Sequence, residues 1–205
     1  MLDKNPELSI EDMTKIQIQF EQQNPKIVLC SKPFHKIEFL DRLINSVEDP
    51  IVIVDMDLLY TGYIQSGMIQ KRENIEIFCP DKIDWKKRLT EIISKVSKER
   101  FLVIIDSFNG VYNLFDELES TRFINSCIML LSAIGNQTKS SVIITGMARK
   151  KDNDELVLSP GGKHIIKSEK IGVYFLKKIQ NDLVIVTLEN TGTDSKKIIR
   201  KQENI

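Results

Sequence analysis

Cysteine is scarce and scattered. Cys30, Cys79 and Cys127 lie far apart in the chain and form no Cys-x-x-Cys pair. An odd number of thiols, each in or beside an apolar run, excludes a secretory disulfide framework and points away from thiolate metal binding or redox chemistry. Long apolar runs are missing as well: the longest are about six residues, well short of a membrane span. Residues 1–11 set Lys4 against Asp3, Glu7 and Glu11, which is not a signal peptide, and the chain reads as cytoplasmic with no membrane contact. Neither charge is in excess, since 29 basic side chains balance 29 acidic ones. Nothing global therefore steers the chain toward nucleic acid or an acidic membrane, and any such contact has to come from a local patch.

What is present is enough for one hydrophobic core in a chain of 205 residues. Residues 1–25 are polar and glutamine-rich, yet Leu8, Ile10, Met13, Ile16 and Phe20 recur at helix-like spacing. The spacing predicts a short amphipathic helix laid on the domain or on a partner. From Lys26 the pattern changes. KIVLC (26–30), IVIVD (51–55), NIEIFCP (74–80), FLVIID (101–106) and SVIITG (141–146) read as strands. Helical spacing fills 35–47, 83–99 and 121–138, with a loop and helix over 57–69. Unbroken apolar strands separated by helices predict a parallel sheet covered on both faces. IGVYFLKK (171–178) and LVIVTLEN (183–190), joined through Gln180, Asn181 and Asp182, are expected as an antiparallel hairpin added at one edge.

In open α/β sheets, ligands sit beyond the carboxyl ends of the strands, so the junctions after residues 30, 55, 106 and 146 are where chemistry is expected. A phosphate-cradling loop needs Gly, four variable residues, Gly, Lys and a hydroxyl. Laid on that pattern, Cys30 and His35 stand at the glycines, Lys36 matches the lysine and Ile37 replaces the hydroxyl. A histidine where the backbone must bend freely makes the loop hard to form, and Ile37 cannot ligate a metal. Lys36 still has the position to meet an anion at a helix N-terminus. After the fourth strand, Asp106 stands where an aspartate supports magnesium in P-loop enzymes. It is the metal candidate of the chain, with Ser107 placed to satisfy it or a loop amide. Asp55 and Asp57 form an i,i+2 carboxylate pair, candidates for catalysis or for closing the turn before the next helix.

Three stretches in this order carry a resemblance: KIVLC with His35 and Lys36, FLVIIDSFNGVYNLF, and SVIITGMARK running on to the Gly161-Gly162-Lys163-His164 tract and KIGVYFLKK. Together they resemble the RecA/RadA recombinase and circadian-clock (KaiC-like) ATPase superfamily of P-loop proteins, and most of all its divergent, archaeal accessory members. The resemblance implies an α/β fold, a RecA-like three-layer sandwich with a mostly parallel central sheet and a C-terminal antiparallel hairpin. It divides the chain into an N-terminal extension (1–25), a core domain (26–192) and a basic tail (193–205), where Lys196, Lys197, Arg200 and Lys201 face Glu203. It also places Lys36, Asp106 and Thr145, the polar group nearest a sensor position, at the nucleotide site, and Asp55 and Asp57 near the place of a catalytic glutamate. The stretch 147–168 matches a DNA-contacting loop, with Arg149, Lys150, Lys151, Lys163 and Lys167 against Asp152, Asp154 and Glu155.

The missing glycines and hydroxyl argue against hydrolysis, so no cofactor is expected. The expected function is a non-catalytic scaffold or accessory subunit in a DNA recombination or repair assembly. Its partner would be a RecA-like paralogue or a second copy, with DNA or RNA reached through the 147–168 loop and the tail. Two alternatives stand beside it. One is a platform subunit like those of the tRNA-modifying Elongator ring, which VDMDLLYTGYIQSG resembles equally well. The other is a weak ATPase in which Lys36, Asp106 and Asp55 or Asp57 hold ATP and magnesium in an unusual site.

Overall fold

Branched aliphatic runs that can be buried on both sides form the centre of the molecule. The computed structural model describes residues 23–110, 118–150, 156–158, 171–179, 182–187 and 199–202. In chain order the elements are β1 (Lys26–Cys30), α1 (Pro33–Ser46), β2 (Ile51–Asp55), α2 (Leu59–Gln65), β3 (Ile75–Phe78), α3 (Trp85–Val96) and β4 (Leu102–Asp106). They continue with α4 (Leu118–Thr138), β5 (Ser141–Lys150), β6 (Leu156–Leu158), β7 (Gly172–Ile179), β8 (Asp182–Thr187) and β9 (Ile199–Gln202). The strand order is β3-β2-β4-β5-β1-β7-β8-β9, with β6 paired to β5. Every residue of β1, β2 and β4 is buried, as strands covered by helices on both faces require.

The two faces of the sheet carry two cores. On one, Ile37, Phe39, Leu40 and Ile44 of α1 and Tyr60 of α2 pack on Val28, Ile53, Ile104 and Tyr174. On the other, Trp85, Leu89, Ile92 and Val96 of α3 and Cys127, Ile128 and Leu131 of α4 cover Leu29, Val52, Val103 and Ile144. The result is a three-layer α/β sandwich. No helix among the described residues is long and apolar enough to cross a membrane.

One expectation is corrected. Residues 171–178 were expected as half of an antiparallel hairpin appended to the sheet. Instead β7 is the sixth strand of a wholly parallel block, pairing with β1 in register from Lys26↔Gly172 to Cys30↔Leu176. Tyr174, Phe175 and Leu176 are buried there like any interior strand. Antiparallel pairing begins only beyond β7, where β8 pairs with β7 and β9 with β8, and recurs where β6 pairs with β5. An apolar run alone does not say whether its neighbours are parallel, and here one of them is β1. Residues 199–202 of the basic tail form β9. The N-terminal periodicity over residues 8–20 lies outside the described residues.

Candidate functional site

The site begins where β1 becomes α1, and there the stretch left outside helix and strand is too short for a phosphate loop. Cys30 ends β1 and Pro33 already stands in the first turn of α1, which leaves only Ser31 and Lys32 between them. Proline suits that helix position because it has no amide hydrogen to leave unpaired, but for the same reason it offers none to a phosphate. The amides of His35 and Lys36 are directed at the Lys32 carbonyl, 3.2 and 3.4 Å away. His35, Lys36 and Ile37 are therefore helical residues, not loop residues, and Ile37 is buried in the core. Burial and the nearby Lys32 and Lys178 cations push the His35 imidazole below its usual value.

The lysine at this junction turns inward. Lys36 is 1% exposed, and its ammonium lies 2.7 Å from Asp106 Oδ1 and 3.1 Å from Asp57 Oδ2. Asp106 closes β4, its carboxylate fully buried, and Thr145 of β5 donates a hydrogen bond to the same Oδ1. Asp57 follows β2 and keeps its side chain 27% exposed. Ser107, expected to satisfy Asp106 or a loop amide, accepts the Gly110 loop amide at 3.4 Å and donates to Asp57 Oδ2 at 2.9 Å rather than to Asp106. Asp55, fully buried at the end of β2, accepts the Thr61 amide at 2.7 Å and so caps the first turn of α2. One oxygen from each of Asp55, Asp57 and Asp106 lies within 4.8 Å of the others.

Burial and the ion pair act against each other. Burial pushes the Asp106 carboxyl up to about 6, against the pull of the Lys36 ammonium. It likewise raises Asp55, in spite of the bonds from Thr61. Burial alone would lower Lys36, but Asp106 and Asp57 override it and hold the ammonium above its usual value. The shifts of Lys36 and Asp106 differ in sense, one favouring charge and the other opposing it. The 2.7 Å contact decides in favour of an ionised pair at neutral pH, with Asp106 titrating just below it.

Lys36, Asp55, Asp57, Asp106 and Thr145 are thus brought together, from α1, β2, β4 and β5. Arg149 is not among them: it is exposed on β5, beyond the sheet, where that strand pairs with β6. Lys150 ends β5, and Lys151, Lys163 and Lys167 lie outside the described residues. Asn109 is a member that sequence reasoning missed. Its Oδ1 accepts the Met147 amide at 2.6 Å and its Nδ2 donates to the Met147 carbonyl at 3.3 Å, tying the turn after β4 to β5. The signal for it is weak, an asparagine three residues past a strand-end aspartate.

A P-loop nucleotide does not fit these residues, because no backbone loop is left to surround its phosphates. The three carboxylates form a set able to coordinate a divalent metal, but the Lys36 ammonium is already bonded to two of them.

No protein-family model matches the chain, and no curated protein matches it. Solved structures do. One, an ATPase domain, superposes with a TM-score of 0.57 at 10% identity, over 88% of this chain and 81% of that one. A DnaB-like replicative helicase, from a structure of its interactions with primase, gives 0.55 at 9% identity over 98% of this chain. The chain spans 65% of that helicase. The RadB recombinase gives 0.50 at 15% identity over 87% of each chain. At such identities the likeness shows the fold alone, the RecA-like α/β sandwich that these three structures share.

Proposed function

We propose that the protein is a non-hydrolysing subunit of RecA type that works by association, as a scaffold or accessory factor in an assembly that handles nucleic acid. DNA recombination or repair is the setting the sequence resemblance favours, and a RecA-like paralogue or a second copy of the chain is the partner. The observation that carries this reading is the junction after β1. Two residues and a proline stand in place of the phosphate loop, while six parallel strands and a packed core on each face of the sheet stand around it. Such a chain keeps what folding needs and lacks what holding a triphosphate needs. The adjacent Met129 and Leu130 on α4 are 49% and 47% exposed, an apolar pair suited to burial against another subunit.

Two measurements on the purified chain test the reading together. Calorimetric titration with ATP, with and without magnesium, is expected to give no binding at millimolar nucleotide. Sedimentation analysis, alone and with a co-expressed RecA-like paralogue, is expected to show a stable oligomer that Met129→Glu with Leu130→Glu weakens. Stoichiometric, magnesium-dependent ATP binding that disappears in Lys36→Ala would overturn it, as would a monomer that no paralogue binds.

A further inference from the structure

Asp55, Asp57 and Asp106 converge from the ends of two neighbouring strands, β2 and β4. All-oxygen sets of this kind suit hard divalent cations. Two of their oxygens, Asp55 Oδ1 and Asp106 Oδ2, are buried with no hydrogen-bond partner among the described residues, and a buried acceptor without a donor needs a reason. The Lys36 ammonium sits beside the same carboxylates, reaching them from α1, whose preceding strand β1 is separated from β4 by β5. It satisfies Asp106 Oδ1 and Asp57 Oδ2 and leaves the two orphan oxygens unmet. One positive charge therefore faces three carboxylates, with acceptor capacity to spare.

We infer that the three aspartates form a divalent-cation site whose cation the chain supplies itself: the Lys36 ammonium stands where a metal would, and a metal binds there once the ammonium is removed. A shortened junction is what makes this arrangement available. With helical geometry starting at Pro33, Lys36 falls one turn into α1 and its side chain points over the sheet rather than toward a phosphate. The metal chemistry of the fold would thus be replaced by an internal ion pair that keeps the strand ends together at any magnesium concentration. The inference rests on reading the site as closed to nucleotide. ATP titration tests that reading, whereas the following experiment contains no nucleotide and tests only the cation site.

Manganese binding is followed by the electron paramagnetic resonance of the free ion, for the wild type, Lys36→Met, and Lys36→Met combined with Asp106→Asn. The wild type is expected to show no stoichiometric site up to about 5 mM. Lys36→Met gains one site at least roughly tenfold tighter than any in the wild type, and its unfolding temperature rises with manganese. Adding Asp106→Asn removes both effects. A stoichiometric site in the wild type that Asp106→Asn abolishes would overturn the inference, as would a folded Lys36→Met that gains none. Should Lys36→Met fail to fold without metal, Lys36→Gln, which leaves Asp106 a neutral donor, is refolded with and without manganese. Failure of both variants even with manganese means that a metal cannot take the ammonium's place, which also overturns it.

Discussion

At the head of α1, the half of the site that would meet phosphate has contracted to two residues and a proline, whereas at the ends of β2 and β4 and midway along β5 the carboxylates and Thr145 form a connected, largely buried cluster. The two halves differ in what the rest of the fold demands of them. A phosphate loop is backbone held open for a ligand, so it can shorten without disturbing either core. Asp55 and Asp106 instead end interior strands, where burying a carboxylate is unfavourable unless it is paired. Lys36 joins the halves: it comes from the contracted side and neutralises the retained one.

Removing that joint should have the largest effect. Lys36→Met leaves Asp106 and Asp57 without their counter-ion, and breaking a buried pair from one side costs about 3–5 kcal/mol. Urea unfolding at pH 7 in the absence of divalent metal is expected to show a loss of that size. A loss below about 1 kcal/mol, the range of exposed pairs, would mean that the ion pair does not hold the cluster and that the two halves are independent.

How much of this was legible in the sequence follows the same division. The strands β1 to β5 announce themselves because each is a short apolar run ending near a turn. The start of α1 was legible too, in Pro33, but a loop template laid over residues 30–37 conceals it. The parallel placement of β7 was not legible, because IGVYFLKK reads the same whether its neighbour is parallel or antiparallel. Lys36, Asp55, Asp57 and Asp106 can each be singled out as strand-end or helix-start candidates. Their meeting cannot be read, since β1 and β4 are not adjacent and only the order β2-β4-β5-β1 sets the distance that Lys36 has to span. The end of β5 beyond Met147 was equally hidden, because Arg149 and Lys150 end the apolar signal although the strand continues to Lys150.

A smaller effect is expected on the carboxylate side from pH. Asp106 is raised from 3.8 to about 6 and Asp55 is raised in the same direction, so the folded chain binds their protons more tightly than the unfolded chain does. The stability Asp106 contributes is complete below 3.8 and is lost as pH rises through about 6, and the share of Asp55 is lost in the same sense as pH rises. The charged neighbours are Lys36 of α1 and Asp57 after β2, and Lys36 stays protonated throughout this window. Asp55→Asn keeps an acceptor for the Thr61 amide but no longer titrates. Urea midpoints measured from pH 4 to pH 8 should therefore fall less steeply in Asp55→Asn than in the wild type, with the variant ahead at pH 8. Parallel curves would show that Asp55 has no part in the burial strain of the cluster.

The smallest effect should come from the phosphate side. His35→Gly restores one glycine of the loop pattern, yet residue 35 already lies inside α1, where a glycine costs about 0.5–1 kcal/mol of helix stability. It lengthens nothing between Cys30 and Pro33, and it does not release Lys36 from Asp106 and Asp57. Calorimetry is expected to show no ATP binding by this variant, just as for the wild type, with a slightly lower unfolding midpoint. Binding gained from this one substitution would mean that the junction fails through residue type rather than through length, and the contrast between a contracted half and a retained half would then reduce to a single side chain.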